Sequence, residues 1–351
     1  MTARFDICVL GAGLAGSALA SSLAARGLRV AIFESNVCAG RGASAYSGGI
    51  IRAFDEDPAQ STLAIRGVHD WLTSRRSADL IRQCGVINII EDARADRAAA
   101  LVAELSSSSY PIKLLSGREA AALAPGLDLA TDRAVAVFEP MGGVVDVKLA
   151  ARLMLCAARD QDAVVLEHAS IGNVRKIDRG IRLEGRGFAV ECAVLAVAAG
   201  PWSPRWLADT EVVVRRIQLS VALASGIDRC LVDQMRAGYL VPGHAGTVAV
   251  GSFDPPIVED PDQALEPCTG RHDRHFKLLR QLTGNPVSPL GEIIGLDAYT
   301  PSLLPRIGFT GPERTIFAFT GFSGRGAKYL PHVAELAAAE LAESAACHAD
   351  R

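Results

Sequence analysis

Two rhythms of apolar residues alternate along the chain. Short, nearly continuous apolar runs predict strands buried on both faces: Phe5 to Leu10, Arg29 to Phe33, Val86 to Glu91, Ala134 to Pro140, Ala163 to Glu167, Ala193 to Ala198 and Thr315 to Phe319. Longer Ala- and Leu-rich windows predict helices over Leu14 to Arg26, from Thr62 onward, over Val147 to Ala158, over Arg271 to Leu282 and at the C-terminus. Asp92 to Pro125 is charged and largely helical in pattern, with Pro111 as a break. Asn173 to Ile177 and Gly180 to Leu183 alternate polar and apolar and predict an antiparallel meander. Val212 to Phe253 is β-like, turning at Gly226, Gly238 and Gly243–Gly246. Cys38 to Arg52 reads as a glycine- and serine-rich loop, and Asp254 to Pro267 as a proline-rich acidic connection.

The first strand runs into Gly11-x-Gly13-x-x-Gly16, which opens the first helix, and Glu34 closes the second strand. Each part has a physical task. Gly11 permits the tight turn, Gly13 lets the backbone approach a pyrophosphate, and Gly16 brings helix and strand together. The helix N-terminus presents N–H groups and positive dipole to the phosphates. Glu34 accepts hydrogen bonds from adenosine ribose hydroxyls and disfavours a 2′-phosphate. With strand, helix and acid in register, the motif predicts a dinucleotide site, for FAD or NAD alike.

Composition narrows the class. The 351 residues suffice for two domains, and with 49% apolar and 21% charged residues the chain reads as globular. A net charge of −3 gives no reason to expect nucleic acid. The densest basic pairs, Arg75-Arg76 and Arg215-Arg216, read as solvated surface. Eight scattered cysteines without a C-x-x-C pair suit a reducing cytoplasm. The N-terminal apolar stretch reads as a strand, not a signal peptide, and no run is long enough to span a membrane. His272-x-x-His275 sits among charged residues and reads as a solvated helix face, so no metal is expected. His69, His168, His244 and His332 read as packing or surface histidines, and no Ser/His or Cys/His nucleophile stands out.

The βαβ opening, β-rich middle and return to a glycine loop (Thr320-Gly321-Phe322-Ser323-Gly324-Arg325-Gly326) before the last helix imply two interleaved α/β domains. That favours a flavoprotein over a simple nicotinamide dehydrogenase. Several spaced motifs point the same way: Arg41-Gly42-Ala43-Ser44 with Gly48-Gly49-Ile50-Ile51-Arg52, Ala198-Ala199-Gly200-Pro201-Trp202-Ser203, Gly238-Tyr239-Leu240-Val241-Pro242, and Tyr299-Thr300-Pro301 with Leu304-Pro305-Arg306. In these and in the fingerprint the chain resembles the FAD-dependent D-amino-acid oxidase family, in its glycine oxidase and monomeric sarcosine oxidase branch. The resemblance covers nearly the whole chain. It implies a Rossmann-like FAD-binding domain (residues 1–72, 142–208 and 294–351) interleaved with a substrate domain on a mixed, largely antiparallel sheet (73–141 and 209–293). It places Ala15, Ser35, Arg41, Ala43, Ser44, Val174, Ala199, Gly200 and Trp202 by the cofactor, together with the fingerprint glycines and Glu34. Gly48 and Gly49 fall near the isoalloxazine. The loop from Gly321 through Phe322, Ser323, Gly324, Arg325, Gly326 and Ala327 to Lys328 caps the flavin, offering N–H donors where the reduced ring gathers negative charge.

The resemblance further matches Arg52 and Lys328 to the pair that clamps a substrate carboxylate, a buried charge that requires cations or several donors. The alternative is a surface loop arginine and a solvated lysine. Tyr239 falls at an active-site tyrosine and equally suits an aromatic packed in a sheet. Arg325 faces flavin or substrate, or else solvent. Asp297 replaces the carboxylate-binding arginine of glycine oxidases and the flavin-linking cysteine of sarcosine oxidases, so FAD is expected to bind non-covalently. Asp297 then pairs with a cationic substrate group or with Arg306, or it caps the turn. A sarcosine oxidase lysine associated with oxygen falls at Ala249, and a further arginine at Gly49. The implied activity is oxidation of the C–N bond of a small amino acid or N-substituted glycine. It proceeds by hydride transfer to flavin N5, imine hydrolysis, and reoxidation by O2 to hydrogen peroxide. The alternatives are a dehydrogenase using a quinone or carrier, a flavin-binding module without turnover, and a plain NAD dehydrogenase. An oligomer is compatible with all of them.

Overall fold

The computed structural model describes residues 2–74, 80–129, 132–208, 211–284 and 287–349. Arg75-Arg76 lies outside them. The chain opens with β1 (Ala3–Leu10), α1 (Leu14–Ala24) and β2 (Val30–Phe33), then α2 (Gly42–Tyr46), β3 (Ile50–Ile51) and α3 (Pro58–Thr73). Next come β4 (Ile81–Arg82), β5 (Val86–Glu91), α4 (Ala95–Leu105), β6 (Lys113–Ser116), α5 (Gly117–Leu123), β7 (Ala134–Glu139) and β8 (Gly143–Val145). They are followed by α6 (Val147–Arg159), β9 (Val164–Leu166), β10 (Ile171–Ile177), β11 (Gly180–Gly185) and β12 (Phe188–Val197). The second half holds β13 (Val213–Leu223), β14 (Cys230–Asp233), β15 (Gly238–Pro242), β16 (Thr247–Ser252), β17 (Ile257–Val258), α7 (Thr269–Thr283) and β18 (Ser288–Tyr299). It ends with β19 (Arg306–Thr310), β20 (Ile316–Thr320), α8 (Gly326–Tyr329) and α9 (His332–Ala349).

β1 lies between β2 and β12 and is parallel to both, with β9 beyond β2 and β20 beside β12. The pleat explains its lack of a polar face. Ile7 and Val9 share a core with α1, α6 and α9, while Cys8 and Leu10 share another with Ile181 and Leu183 of the β10–β11 meander. Full burial of such a side chain stabilises by roughly 1.5–3 kcal/mol. A second, nine-stranded sheet runs β17-β13-β16-β15-β14-β5-β7-β6, with β18 also on β13. Apart from the parallel pair β14/β5 its pairings are antiparallel. The small sheet β3-β8-β4 lies between the two large ones in sequence and carries the segment leading to Arg52. The architecture is the mixed α/β fold expected.

Several expectations need correction. The Cys38–Arg52 segment is not simply a loop, since it contains α2 and β3. α3 starts at Pro58, ahead of Thr62, because the Asp57 side chain accepts a hydrogen bond from Ala59 N and Pro58 fits the first helical position. Asp92–Pro125 contains β6, whose Leu114 and Leu115 pair with β7 in a register invisible from charge and alanine content. Gly238 begins a strand instead of turning. β18 was not anticipated, because glycines interrupt its pattern; it pairs along almost the whole length of β13. Among the described residues no helix is long and apolar enough to cross a membrane.

Candidate active site

One end of the site is the cradle of the opening β-α-β unit. Gly11 has φ +97°, and a Cβ there would lie 2.6 Å from Ala198 O. A Cβ at Gly16 would lie 1.9 Å from Gly11 O, so only glycine allows the helix this close to the strand. Leu14 N donates to Ser44 Oγ (2.9 Å). Glu34 accepts hydrogen bonds from Ala12 N (2.9 Å), Asn36 N (2.8 Å) and the Ser35 hydroxyl (3.3 Å), which holds its carboxylate at the end of β2. The Arg41 guanidinium lies 4.6 Å from the centre of the Trp202 ring, whose Nε1 donates to Asp262 (2.9 Å).

From this cradle a cavity of about 760 Å³ runs beneath the second sheet. Its wall brings together Gly11, Gly13, Ala15, Glu34, Ser35, Arg41, Ala43, Ser44, Gly48, Gly49, Arg52, Ala199, Gly200, Trp202, Tyr239, Asp297 and the stretch from Phe322 to Lys328. Gly16, Val174, Gly321 and Arg306 are outside it. Gly16 lies behind the cradle. Val174 packs with the meander core, where the neighbouring Ile171 reaches the cavity instead. A Cβ on Gly321 would meet Thr300 and Val212, behind the capping loop. Arg306 is exposed at the start of β19 and does not pair with Asp297.

At the cavity floor the two clamp candidates meet a carboxylate of the protein itself. Asp55 Oδ2 lies 3.0 Å from Lys328 Nζ, 3.2 Å from Arg52 Nη2 and 3.6 Å from Arg325 Nε. All are buried or half-buried, so neither Arg52 nor Lys328 is the solvated residue of the alternative reading. Burial alone would raise the Asp55 carboxyl, but the charges of Lys328, Arg52 and Arg325 outweigh it and hold it well below the usual range. Burial pushes the Lys328 ammonium down to about 7, against the pull of Asp55. Arg52 Nη1, Arg325 Nε and the Tyr329 hydroxyl are buried without a hydrogen-bond partner.

The backbone beneath this cluster is anchored from the other sheet. Glu139, fully buried at the end of β7, accepts hydrogen bonds from Ala53 N (2.5 Å), Phe54 N (3.2 Å), Asn88 Nδ2 (3.1 Å) and the Tyr110 hydroxyl (2.9 Å). It thereby fixes the turn between Arg52 and Asp55. Behind Lys328, Trp71 Nε1 donates to Ala327 O (2.7 Å), clamping α8 onto α3.

The opposite wall is β13, β15 and β18. Arg215, Ile217 and Leu219 line the cavity from alternate positions of β13. Arg215 is therefore not solvated surface: its guanidinium carbon lies 5.4 Å from the Tyr299 ring centre, and its Nη1 donates to Pro255 O (2.6 Å). Its neighbour Arg216 is also half-buried, with Nη1 donating to Glu266 O (3.3 Å). Tyr239 lines the cavity and stacks on Phe253 (6.2 Å), and burial pushes its hydroxyl up to about 12. Asp297 caps its own turn, accepting from Ala298 N (2.7 Å) and Gly324 N (2.7 Å). Burial pushes its carboxyl up to about 6.

His275 was misread from sequence. It is fully buried, with Nδ1 at 2.9 Å from Ser220 Oγ and Nε2 at 3.0 Å from Ser252 Oγ, and only His272 of the pair reaches solvent. Among the described residues no cluster suits a metal ion. Asp55, Glu139, Arg215 and Tyr299 were missed. Asp55 carried a faint signal in its spacing of three from Arg52, and Glu139 in closing an apolar strand with an acid. Arg215 carried none, because its neighbour Arg216 made the pair look like surface.

The chain is similar to several known proteins. The model of the DAO family, described as FAD dependent oxidoreductase, matches residues 6–340. The tRNA 5-methylaminomethyl-2-thiouridine biosynthesis bifunctional protein MnmC of Pseudomonas entomophila (strain L48) is 27% identical over 352 residues, 94% of this chain and 51% of that protein. Glycine oxidase of Geobacillus kaustophilus (strain HTA426) is 27% identical over 216 residues, 58% of this chain and 57% of its own length. The chain thus spans about half the length of the curated relatives it matches. The crystal structure of glycine oxidase from Geobacillus kaustophilus superposes with a TM-score of 0.83 at 22% identity, covering 97% of this chain and 95% of that one. L-proline dehydrogenase from P. horikoshii superposes with a TM-score of 0.87 at 20% identity, covering 98% and 94%. At these identities the two structures speak for the fold.

Proposed function

The chain belongs to the DAO family of FAD-dependent oxidoreductases, and on that premise we propose that it oxidises the C–N bond of a small amino acid or N-substituted glycine anchored by its carboxylate at Arg52. FAD is the cofactor of the family, and the residues fit it. The glycine cradle and the N-terminus of α1 suit the pyrophosphate. The cavity continues for the isoalloxazine past Gly48 and Gly49, and no cysteine or histidine lines it among the described residues, in line with non-covalent binding. Bound there, FAD would supply the hydride-accepting chemistry for the carbon bearing the nitrogen, with dioxygen as the final electron acceptor in this reading.

The chain's own residues anchor and desolvate the substrate. The observation that carries the reading is the surplus of buried positive charge at the cavity floor. One carboxylate, Asp55, faces Arg52, Lys328 and Arg325, and Arg52 Nη1 still lacks an acceptor. A substrate carboxylate supplies that acceptor and balances the charge. Glu139 keeps the Arg52–Asp55 turn rigid, so the anchor is preorganised. Tyr239 and Tyr299 close the other wall and keep water away from the reacting carbon. The aminomethyl group in the name of the MnmC relatives favours a nitrogen bearing a larger substituent.

The test is a visible spectrum of the purified protein, followed by anaerobic addition of glycine, N-methylglycine, larger N-alkylglycines and D-amino acids. A flavin spectrum bleached by one class and restored by air supports the reading and names the substrate type. A flavin that no amino acid bleaches removes it. Ala249, where the sarcosine oxidase branch carries its oxygen-associated lysine, favours a second reading in which a quinone or carrier replaces dioxygen; bleaching without recovery in air distinguishes it.

A further inference from the structure

Two buried aspartates belong to the site, Asp297 on the cavity wall and Asp55 behind the lining residues Arg52, Arg325 and Lys328, and their surroundings are opposite. Asp55 is 7% exposed and faces three cations. Asp297 is equally buried, yet its only hydrogen bonds come from the backbone amides of Ala298 and Gly324, and among the described residues no cation pairs with it. A buried carboxylate without a counter-ion is costly, and in a ligand cavity it marks a place for a ligand's positive charge. The two acids are linked by consecutive residues. Gly324 N donates to Asp297 while Arg325 Nε lies 3.6 Å from Asp55, so consecutive residues of the capping loop touch both acids.

Resting on the reading of Arg52 as carboxylate anchor, we propose that Asp297 receives the cationic nitrogen of a zwitterionic substrate and takes its proton. The step balances: R2NH2⁺ and the Asp297 carboxylate become R2NH and the Asp297 carboxylic acid. The freed nitrogen lone pair is what C–N oxidation requires, and an acid poised near neutral pH is suited to receive the proton. The two aspartates thus divide the work, as paired acids with divergent environments do. Asp55 stays ionised and holds the cations in place, while Asp297 exchanges a proton.

The test uses two ligands of one shape that differ in charge at one atom: N,N,N-trimethylglycine, and 3,3-dimethylbutanoate with carbon in place of the nitrogen. Their binding to the FAD-loaded protein is measured by calorimetry. The expected result is a preference for trimethylglycine of about tenfold or more in the parent. Asp297→Asn loses this preference while holding the neutral isostere within about threefold. Equal binding of both ligands by the parent overturns the proposal, as does a variant that keeps the preference. If neither ligand binds, the carboxylate anchor falls and the proposal with it, whereas binding of the isostere alone leaves the anchor standing and removes Asp297.

A second measurement needs no variant. The parent's preference falls as pH drops through about 6 and Asp297 is protonated. The groups around Asp297 are Tyr239 on β15, Tyr299 on its own strand, Arg215 on β13 and Arg325 on the capping loop, and burial pushes both tyrosine hydroxyls up, far from this range. Lys328 gains charge over the same range, but at the carboxylate end shared by both ligands, so it cancels in the ratio. A preference constant from about pH 8 to pH 5 overturns the proposal.

Discussion

The two faces of β13 carry two buried polar clusters built on different terms. On the face toward α7, Gln218 and Ser220 join His275, Ser252, Glu292 and His272. Ser220 lies 2.9 Å from His275 Nδ1 and donates to Glu292 (3.0 Å), which also accepts from Gln218 Nε2 (2.9 Å) and lies 2.6 Å from His272 Nδ1. Gln218 additionally bonds both backbone groups of Cys268, the N-cap of α7. No buried polar atom of these six side chains lacks a hydrogen bond among the described residues, although Nε of Arg216, on the same face of β13, does. On the cavity face, Arg215 Nε, Arg52 Nη1 and Arg325 Nε lack a hydrogen-bond partner and Asp297 lacks a paired cation. A polar cluster that closes on itself fastens a helix to a sheet, and one left open is waiting for a ligand.

Four measurements break or sharpen this contrast. The largest effect is expected at the open cluster. Arg52→Met should weaken 3,3-dimethylbutanoate binding by about a hundredfold, near 3 kcal/mol. The melting temperature should stay close to the parent's, because Lys328 and Arg325 remain on Asp55. A large loss of stability with unchanged binding would assign Arg52 to the fold instead.

The closed cluster should behave the other way. His275→Ala is expected to cost about 2–4 kcal/mol in denaturant unfolding, from the cavity and the lost hydrogen bonds, with ligand affinity unchanged. Altered binding would place His275 in the site.

The two clusters also give opposite acid responses. Burial lowers the His275 imidazole from 6.5 to about 4. Between those values the unfolded chain takes up a proton that the fold refuses, so stability falls as pH falls, by roughly 3 kcal/mol at most. Burial raises the Asp297 carboxyl from 3.8 to about 6. Between these values the fold takes up the proton first, so stability rises as pH falls. Unfolding free energies from about pH 7 to pH 4 should therefore lose their acid decline in His275→Ala and decline more steeply in Asp297→Asn. Parallel slopes in all three proteins would refute the assignment.

The smallest effect is expected at Arg306. Arg306→Ala should change stability by less than about 0.5 kcal/mol and leave both ligand affinities unaltered. A weaker affinity for either ligand would return this arginine to the pocket.

The sequence carried local geometry well. Gly11, Gly13, Gly16 and Glu34 announced the cradle because strand, turn, helix and acid are contiguous, and their physics acts over a few residues. Arg52, Lys328 and Asp297 were legible only through resemblance to a family, and the protein partner it offered Asp297, Arg306, is not the one the fold supplies. What neither pattern nor resemblance supplied was Asp55 as the hub of three cations, or Glu139 beneath it, since Glu139 meets Ala53 and Phe54 across 86 and 85 positions of chain. β18 escaped notice because glycines break its period; its identity comes from eleven pairings with β13.

By itself, then, the sequence determined the opening dinucleotide cradle, the alternation of elements and the identity of the charged residues available for a site. These follow from side-chain period, glycine conformational freedom and short-range capping. The tertiary structure alone decided which charges are neutralised and which stay open. Arg215 faces the cavity while Gln218 and Ser220 face a helix because the pleat turns alternate side chains to opposite sides. Asp55 is saturated and Asp297 is not because residues far apart in the chain converge on one and not on the other. Burial then decides the protonation of each group, and burial is a property of the assembled fold.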